Sequence, residues 1–527
     1  MHTSTQAPIA IAAPHDAAVR AAADIVAAGG NAVDAALAAA AALTVVYPHM
    51  CSLGGDMIAI VRLPDGDRIC VNSTGAYGSA SPLDTLLGGR ESMPVEGPLT
   101  VSVPGAVAGW KALHDAWGLL PVDRLLRPAI ELAAAGTRVS PGLAEAVEDD
   151  ADVLRADAGM RSIFFPEGRA LTAGADLVQP QLEQTLRALA RDGLGSFYIG
   201  ETASRLAAGL AALGVPVTAA DLARHEPRFE QPIARRFGGL RVSTAPPNSQ
   251  GFTMLRTLGA LRTPDTGELS TDAGLLAELF HSGDRIRDMT LADPRFAPVD
   301  VDGMLQPEGL RRAREDAERS LRTGVREPGV VTPRPGGDTV AVTVVDADGT
   351  AISLIQSVFH SFGSKLLEPS TGVVLHNRAA FFQLEPGHPN EIAIGKRPAH
   401  TLMPVIVESP DGTVAAHGTM GGKAQAQIHT QLLLRVAEGA TPQQAVSAPR
   451  LIVGDSEHGT DDRDSVLVEP GISATAQAEL AETTLELRLG HEYDSGAGHA
   501  MIARRDPDGR LSAGADPRSD GGVHISH

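Results

Sequence analysis

The chain has 527 residues, 43% hydrophobic, 20% charged and 3% aromatic, a balance that fits a helix-rich globular protein with apolar surface enough for a sizeable core. Its 64 acidic and 44 basic residues give a formal charge of −20, which repels phosphate backbones and anionic membrane surfaces, so no nucleic-acid or membrane partner is expected. Residues 1–13 lack a basic start followed by an apolar run, and no 18 consecutive apolar residues escape a charge or a proline; the expected location is cytoplasmic.

From Pro14 to Val46 the sequence is almost all Ala, Val and Leu, and Gly29-Gly30 divides it. Two Ala-rich helices are expected, the first ended by the freedom of glycine at positive φ. Cys51 and Cys70 are the two cysteines, too few for a disulfide framework or a cysteine-based zinc site; they are expected to be structural thiols, with a single bridge between them as the alternative. Residues 57–62 and 67–71 flank Pro64-Asp65-Gly66 and predict a hairpin. Helices are expected over 107–117, 124–134 and 181–190. The charged stretch 311–326 predicts a solvated helix, and Pro333-Arg334-Pro335-Gly336-Gly337 after it predicts an exposed linker, where chain cleavage is easiest to tolerate. Residues 339–345 and 351–356, separated by Asp346-Ala347-Asp348-Gly349, predict a second hairpin; 403–408 and 413–417, around Pro410-Asp411-Gly412, predict a third.

Several motifs fail. Gly421-Gly422-Lys423 approaches a phosphate-binding loop, but Ala424 follows the lysine and His417 stands where the first glycine belongs. There is no G-x-S-x-G, no H-E-x-x-H, and no G-x-G-x-x-G between a strand and a helix. The 17 histidines show no ligand spacing, so neither a metal nor a cofactor is expected.

A threonine hydroxyl is a weak nucleophile unless a base adjoins it. The residue's own α-amino group, with a pKa near 7.7–8.0, is such a base when the threonine begins a chain. Gly336-Gly337-Asp338-Thr339, just before a β-rich run, is a place where self-cleavage could expose one, although a plain turn reads the same way.

The residues around it carry a resemblance. Gly29-Gly30-Asn31-Ala32-Val33-Asp34-Ala35-Ala36, Pro48-His49 with Gly54-Gly55, Val103-Pro104-Gly105-Ala106-Val107-Ala108-Gly109 and Leu177-Val178-Gln179-Pro180 come first. Asp338-Thr339 through Val345-Asp346, Phe362-Gly363-Ser364, Lys396-Arg397-Pro398, Gly421-Gly422 and Asp516-Pro517-Arg518 follow in order. Together they resemble the γ-glutamyltransferase family of N-terminal-nucleophile hydrolases over almost the whole chain. Tyr47-Pro48-His49-Met50 with Leu53-Gly54-Gly55-Asp56 resembles the branch that includes oxamate amidohydrolase.

The resemblance implies an α+β fold, a four-layer αββα sandwich, built from a large chain (1–338) and a small chain (339–527) of one precursor cut between Asp338 and Thr339. It implies that Thr339 is the nucleophile, that Gly421 and Gly422 form the oxyanion hole, and that Ser357 is a second hydroxyl beside the nucleophile. The substrate side departs from the family. Where typical members hold a glutamyl group with Asn, Gln, Asp, Arg and a Ser-Ser pair, this chain has Phe359, Arg378, Phe381, Ser81 and His400-Thr401. Arg378 and its neighbour Asn377, with His400, Thr401 and Phe359, are therefore the expected substrate-binding residues, Arg378 as a carboxylate clamp. An ammonium in such a cradle would be buried without a carboxylate, so ordinary γ-glutamyl recognition is expected to be poor. Residues 386–396 are short where many members carry a lid loop, which predicts an open site. The expected partners are a small-molecule amide and the two chains of the precursor, with a dimer of processed heterodimers as an assembly open to them. The expected activity is hydrolysis or transfer of the acyl group of a γ-glutamyl-like or other small carboxylate-bearing amide. Its rivals are an oxamate-type amidohydrolase, a cephalosporin (glutaryl) acylase and an unprocessed, non-catalytic binding protein.

Overall fold

A computed structural model describes residues 8–261, 272–326, 338–454 and 464–526. The linker expected at 333–337, including Gly336-Gly337, lies outside the described residues.

Both Ala-rich helices are present, Asp16–Ala27 and Ala32–Val46. The second starts at a capping box: the Asn31 side chain accepts from Asp34 N at 3.0 Å, and the Asp34 carboxylate accepts from Asn31 N at 3.1 Å. Asp34 also accepts from the N–H groups of Leu119 and Leu120, so one buried carboxylate ties the helix start to a distant turn. Every residue of this helix is buried, and its small alanines allow close packing on a sheet. The helices expected further on span Ala106–Trp117, Val122–Ala135 and Pro180–Asp192. The charged helix spans Pro307–Thr323 and buries only Leu310, Ala313 and Ala317.

The three expected hairpins form: Asp56–Arg62 with Arg68–Ser73, Asp338–Asp346 with Ala351–Phe359, and Val405–Glu408 with Val414–Thr419, each antiparallel. They belong to two sheets. The seven-stranded sheet runs Gly522–Ile525, Ile9–Ala13, Asp338–Asp346, Ala351–Phe359, Asp56–Arg62, Arg68–Ser73, Arg228–Glu230. The six-stranded sheet runs Leu511–Ala515, Ala500–Arg505, Val414–Thr419, Val405–Glu408, Leu240–Thr244, Ile233–Phe237. All pairings within both are antiparallel.

Side chains alternate along a strand, and the strand Asp338–Asp346 shows what that separates. Val340, Val342 and Val344 pack with the helices Asp16–Ala27 and Ala32–Val46, whereas Ala341 and Val345 pack with Ile406, Ala416 and Met501 of the six-stranded sheet. Thr339 shares the parity of Ala341, so it belongs to the face turned toward the second sheet. The helices Gly251–Ala260, Ala273–Thr290 and Pro307–Thr323 cover the other face of the six-stranded sheet through Val242, Val405, Val407 and Ala415. Cys51 and Cys70 are free, buried thiols. Among the described residues no helix is long and apolar enough to cross a membrane.

Candidate active site

Thr339 is the second residue of its strand, paired in register with Ser357, which is paired on its other side with Asp56. The three form a row across adjacent strands and are 1%, 2% and 1% exposed. Thr339 Oγ1 donates to Ser357 Oγ at 3.2 Å. Ser357 Oγ donates to the carbonyl oxygen of Asp338 at 2.5 Å and accepts from Phe359 N at 2.8 Å. One hydroxyl thus touches both the candidate nucleophile and the peptide bond that precedes it.

Asp338 opens onto a cleft of about 730 Å³ whose walls include His49, His360, Lys365, Met420 and His499. Burial raises its carboxyl pKa to about 7; Lys365 opposes the shift and Asp150, ion-paired to Lys365, adds to it. His49 and His499 are held neutral, at about 3 and about 4, chiefly by burial.

The loop after the strand Val414–Thr419 holds the other half of the site. A Cβ on Gly418 would stand 2.7 Å from the Cβ of Ala341, so a glycine there lets this strand close on the strand that carries Thr339. Gly421 has φ 136° and Gly422 φ 49°, conformations that side chains resist. Among the described residues no acceptor takes the N–H of either glycine. Two free backbone donors on a rigid turn are what a developing oxyanion requires.

Arg378 opens the short helix Arg378–Phe381 and is 1% exposed. Its guanidinium carbon lies 3.7 Å from the centroid of the Phe359 ring, a cation–π contact. Phe359 adopts φ 83° just past an irregularity in the strand pairing, and that strained backbone turns its ring under the guanidinium. Arg378 Nη1 donates to Thr401 Oγ1 at 3.4 Å, whereas Nη2 is buried with no hydrogen-bond partner among the described residues. Burial lowers the Arg378 pKa to about 9, with Asp56 opposing, which leaves it charged at neutral pH. Phe381 packs edge-on to Phe359 at 5.7 Å, and Lys423 Nζ lies 5.4 Å from the Phe381 ring. The aromatic and cationic cradle read from the sequence is brought together here.

Three expected pocket residues play other parts. Asn377 donates through Nδ2 to Val95 O at 2.6 Å, bonds His360 Nδ1 at 2.9 Å, and accepts from His360 N at 3.1 Å; its amide is fully engaged and holds the loop rather than a ligand. His400 accepts at Nδ1 from Leu402 N at 3.2 Å, and its Nε2 meets Asp56 Oδ2 at 3.2 Å. With both nitrogens engaged and burial lowering its pKa to about 3, His400 is a neutral support for Thr401. Ser81 lies beside Tyr77, whose ring packs on Phe382. In the short segment, Asn390 Nδ2 donates to Phe381 O at 2.7 Å.

Asp56 was missed, although it closes the quoted Leu53-Gly54-Gly55-Asp56. Besides His400 it faces His376 Nδ1 at 3.3 Å, and its Oδ1 accepts from Gly75 N at 3.0 Å. Burial alone would raise its pKa, but the two histidines hold it well below the usual carboxylate range. Among the described residues no cluster of His, Cys, Asp and Glu could hold a metal ion.

A family model described as Gamma-glutamyltranspeptidase matches residues 18–526. The oxamate amidohydrolase proenzyme of Klebsiella pneumoniae is 38% identical, with 99% of each chain covered. The glutathione hydrolase-like YwrD proenzyme of Bacillus subtilis is 33% identical, with 97% of each covered. The crystal structure of cephalosporin acylase from Bacillus halodurans superposes with a TM-score of 0.85 at 30% identity, covering 98% of this chain and 96% of that one. This chain is an enzyme of the gamma-glutamyltranspeptidase family.

Proposed function

We propose that the protein is a self-processing amidohydrolase that cuts its own chain before Thr339 and then hydrolyses a small amide carrying a carboxylate on its acyl side, of the oxamate type. The observation that carries the substrate class is Arg378: a fully buried guanidinium, stacked on Phe359, with one nitrogen bonded to Thr401 and the other without a partner among the described residues. A buried cation of this kind is satisfied by an anion that can take the free N–H groups. The α-ammonium of a γ-glutamyl group would instead meet Arg378 and Lys423, while the carboxylates close by are already engaged, Asp288 by Lys423 and Arg287 and Asp56 by His376 and His400. The similarity to an oxamate amidohydrolase supports the same choice.

In the precursor, Thr339 Oγ1 attacks the Asp338 carbonyl carbon, polarised by the Ser357 hydroxyl. The C–N bond breaks as an ester forms, the hydroxyl proton passing to the departing Thr339 nitrogen, and water hydrolyses the ester to leave an Asp338 carboxylate and a free Thr339 amine. In turnover that amine takes the hydroxyl proton as Thr339 Oγ1 attacks the substrate amide. Gly421 and Gly422 N–H groups stabilise the oxyanion, and the leaving nitrogen departs with the proton. From oxamate the products are ammonia and an oxalyl ester, which water cleaves to oxalate. The two facing sheets and their outer helices are, on this reading, the αββα layers of one fold shared by chains 1–338 and 339–527.

A longer acyl group such as glutaryl is the second reading, favoured by the fold and sequence similarity to a cephalosporin acylase. The test is direct. Intact mass should place the first residue of the small chain at Thr339, and the processed enzyme should release ammonia from oxamate faster than p-nitroaniline from the γ-glutamyl or glutaryl anilide. A single full-length band after prolonged incubation would sink the nucleophile, and rapid γ-glutamyl turnover would sink the pocket.

A further inference from the structure

Gln250 ends the turn Pro246-Pro247-Asn248-Ser249-Gln250 and precedes the helix Gly251–Ala260. This turn runs beside residues 398–402. Asn248 Nδ2 donates to Pro398 O at 2.8 Å, His400 N to Asn248 O at 2.7 Å, Gln250 N to His400 O at 3.1 Å, and Ser249 Oγ to Leu402 O at 2.6 Å. From this anchored position the fully buried Gln250 side chain reaches two carbonyls at once. Nε2 donates to Thr401 O at 3.0 Å and to Gly422 O at 2.9 Å. Oε1 accepts from Arg287 Nη1 at 3.3 Å, and Arg287 is held by Asp284 at 2.6 Å and Asp288 at 2.8 Å. The orientation of the amide is dictated by its partners. Reversed, it would set its oxygen against two carbonyls and its N–H groups against a guanidinium.

We infer that Gln250 is a positioning residue that couples the acyl-carboxylate pocket to the oxyanion loop: one amide group bonds both Thr401, whose hydroxyl accepts from Arg378, and Gly422. The inference rests on the proposed function for the roles of those two segments. Thr401 belongs to the pocket and Gly422 to the loop, and the Gln250 amide is bonded to both. A substrate carboxylate that pulls on Arg378 and Thr401 therefore acts on a part fastened to the donors awaiting the oxyanion. Processing is different, because the Asp338 carbonyl is bonded by Ser357 and not by the glycine loop.

Gln250→Met removes both donors at similar volume, and Gln250→Glu replaces them with a carboxylate. Both variants should convert precursor to two chains at the wild-type rate, seen by denaturing electrophoresis. On oxamate, followed by ammonia release, kcat should fall about 10- to 100-fold and KM should rise, since loss of a single well-placed oxyanion donor costs about 100- to 1,000-fold. Hydrogen exchange measured by mass spectrometry should quicken in peptides covering both 398–404 and 418–426. Kinetic constants within twofold of wild type, or exchange unchanged in either segment, would overturn the inference. If wild-type enzyme releases no ammonia from oxamate, the functional reading fails, and exchange in the two segments alone decides whether Gln250 braces them.

Discussion

Ser357 Oγ accepts from Thr339 Oγ1 at 3.2 Å while donating to the carbonyl of Asp338 at 2.5 Å. On the proposed cleavage before Thr339, the serine would polarise the bond to be cut and position the oxygen that cuts it. Ser357→Ala should therefore slow conversion of the precursor by about 100-fold or more, the usual effect of removing a donor from a developing oxyanion. Ser357→Thr, which keeps the hydroxyl, should process within a few-fold of wild type. The half-time of band conversion measures both, and prompt processing of the alanine variant would show that the hydroxyl has no part in cleavage.

Asp338 is a half-buried acid on the cleft wall whose pKa is raised to about 7. In the unfolded chain it titrates near 3.9. Between these values the folded state holds the extra proton, so stability of the uncut precursor falls as pH rises from about 4 to about 7 and the loss is complete above that. In a Thr339→Ala background, which prevents cleavage, adding Asp338→Asn should raise the melting temperature at pH 8 and have little effect at pH 4. An equal effect at both values would show that the carboxyl is not held in its acid form.

Much of this arrangement was legible in the sequence, for definite reasons. The Asp338–Asp346 strand could be read because Val340, Val342 and Val344 alternate with Ala341 and Thr343 beside a four-residue turn. Thr339 itself was legible only through the ordered motifs around it, since a threonine at the start of a strand has no chemistry visible in isolation. Arg378 keeps an unpartnered nitrogen that fits its binding reading, whereas Asn377 and His400 enter that reading because they adjoin Arg378 and Thr401 in sequence. Adjacent side chains on a short helix or an extended loop face different ways, and these two turn to protein partners. Asp56 was out of reach because His400 lies 344 positions away. No local spacing reports a contact that only the pairing of strands creates.

Arg378 gives the sharpest test of substrate class. Hydrogen bonds to charged groups contribute about 1.5–3 kcal/mol each, so replacing the guanidinium with an apolar side chain should raise KM for a carboxylate-bearing amide at least about 10- to 100-fold. Arg378→Met should show this, and Arg378→Lys should recover part of the loss, since an ammonium keeps the charge without the planar fork. For an amide of similar size without the carboxylate, such as acetamide, the variants and the wild type should be equally poor. A loss of the same size on both substrates would mean that Arg378 shapes the pocket without reading a carboxylate.

Asp56 sets the last expectation. Its carboxylate faces His376 at 3.3 Å and His400 at 3.2 Å in a site that is 1% exposed. Removing the carboxylate leaves the buried His400 Nε2 without its partner, and a buried polar group left unsatisfied costs about 1–3 kcal/mol. Asp56→Asn should thus lower the stability of the Thr339→Ala precursor by about 1–3 kcal/mol in urea at neutral pH. The sign with pH follows from the depressed pKa. A carboxylate whose folded pKa lies below its unfolded value of about 3.9 contributes fully above that value, and loses its contribution as pH falls toward the folded one. The stability gap between the Thr339→Ala precursor and the same precursor carrying Asp56→Asn should therefore be constant from about pH 8 to about pH 5 and narrow at about pH 3.5. Because His400 supports Thr401, the same substitution should also raise KM for oxamate in the processed enzyme. A variant with lowered stability and unchanged KM would confine Asp56 to the core and detach it from the pocket it underlies.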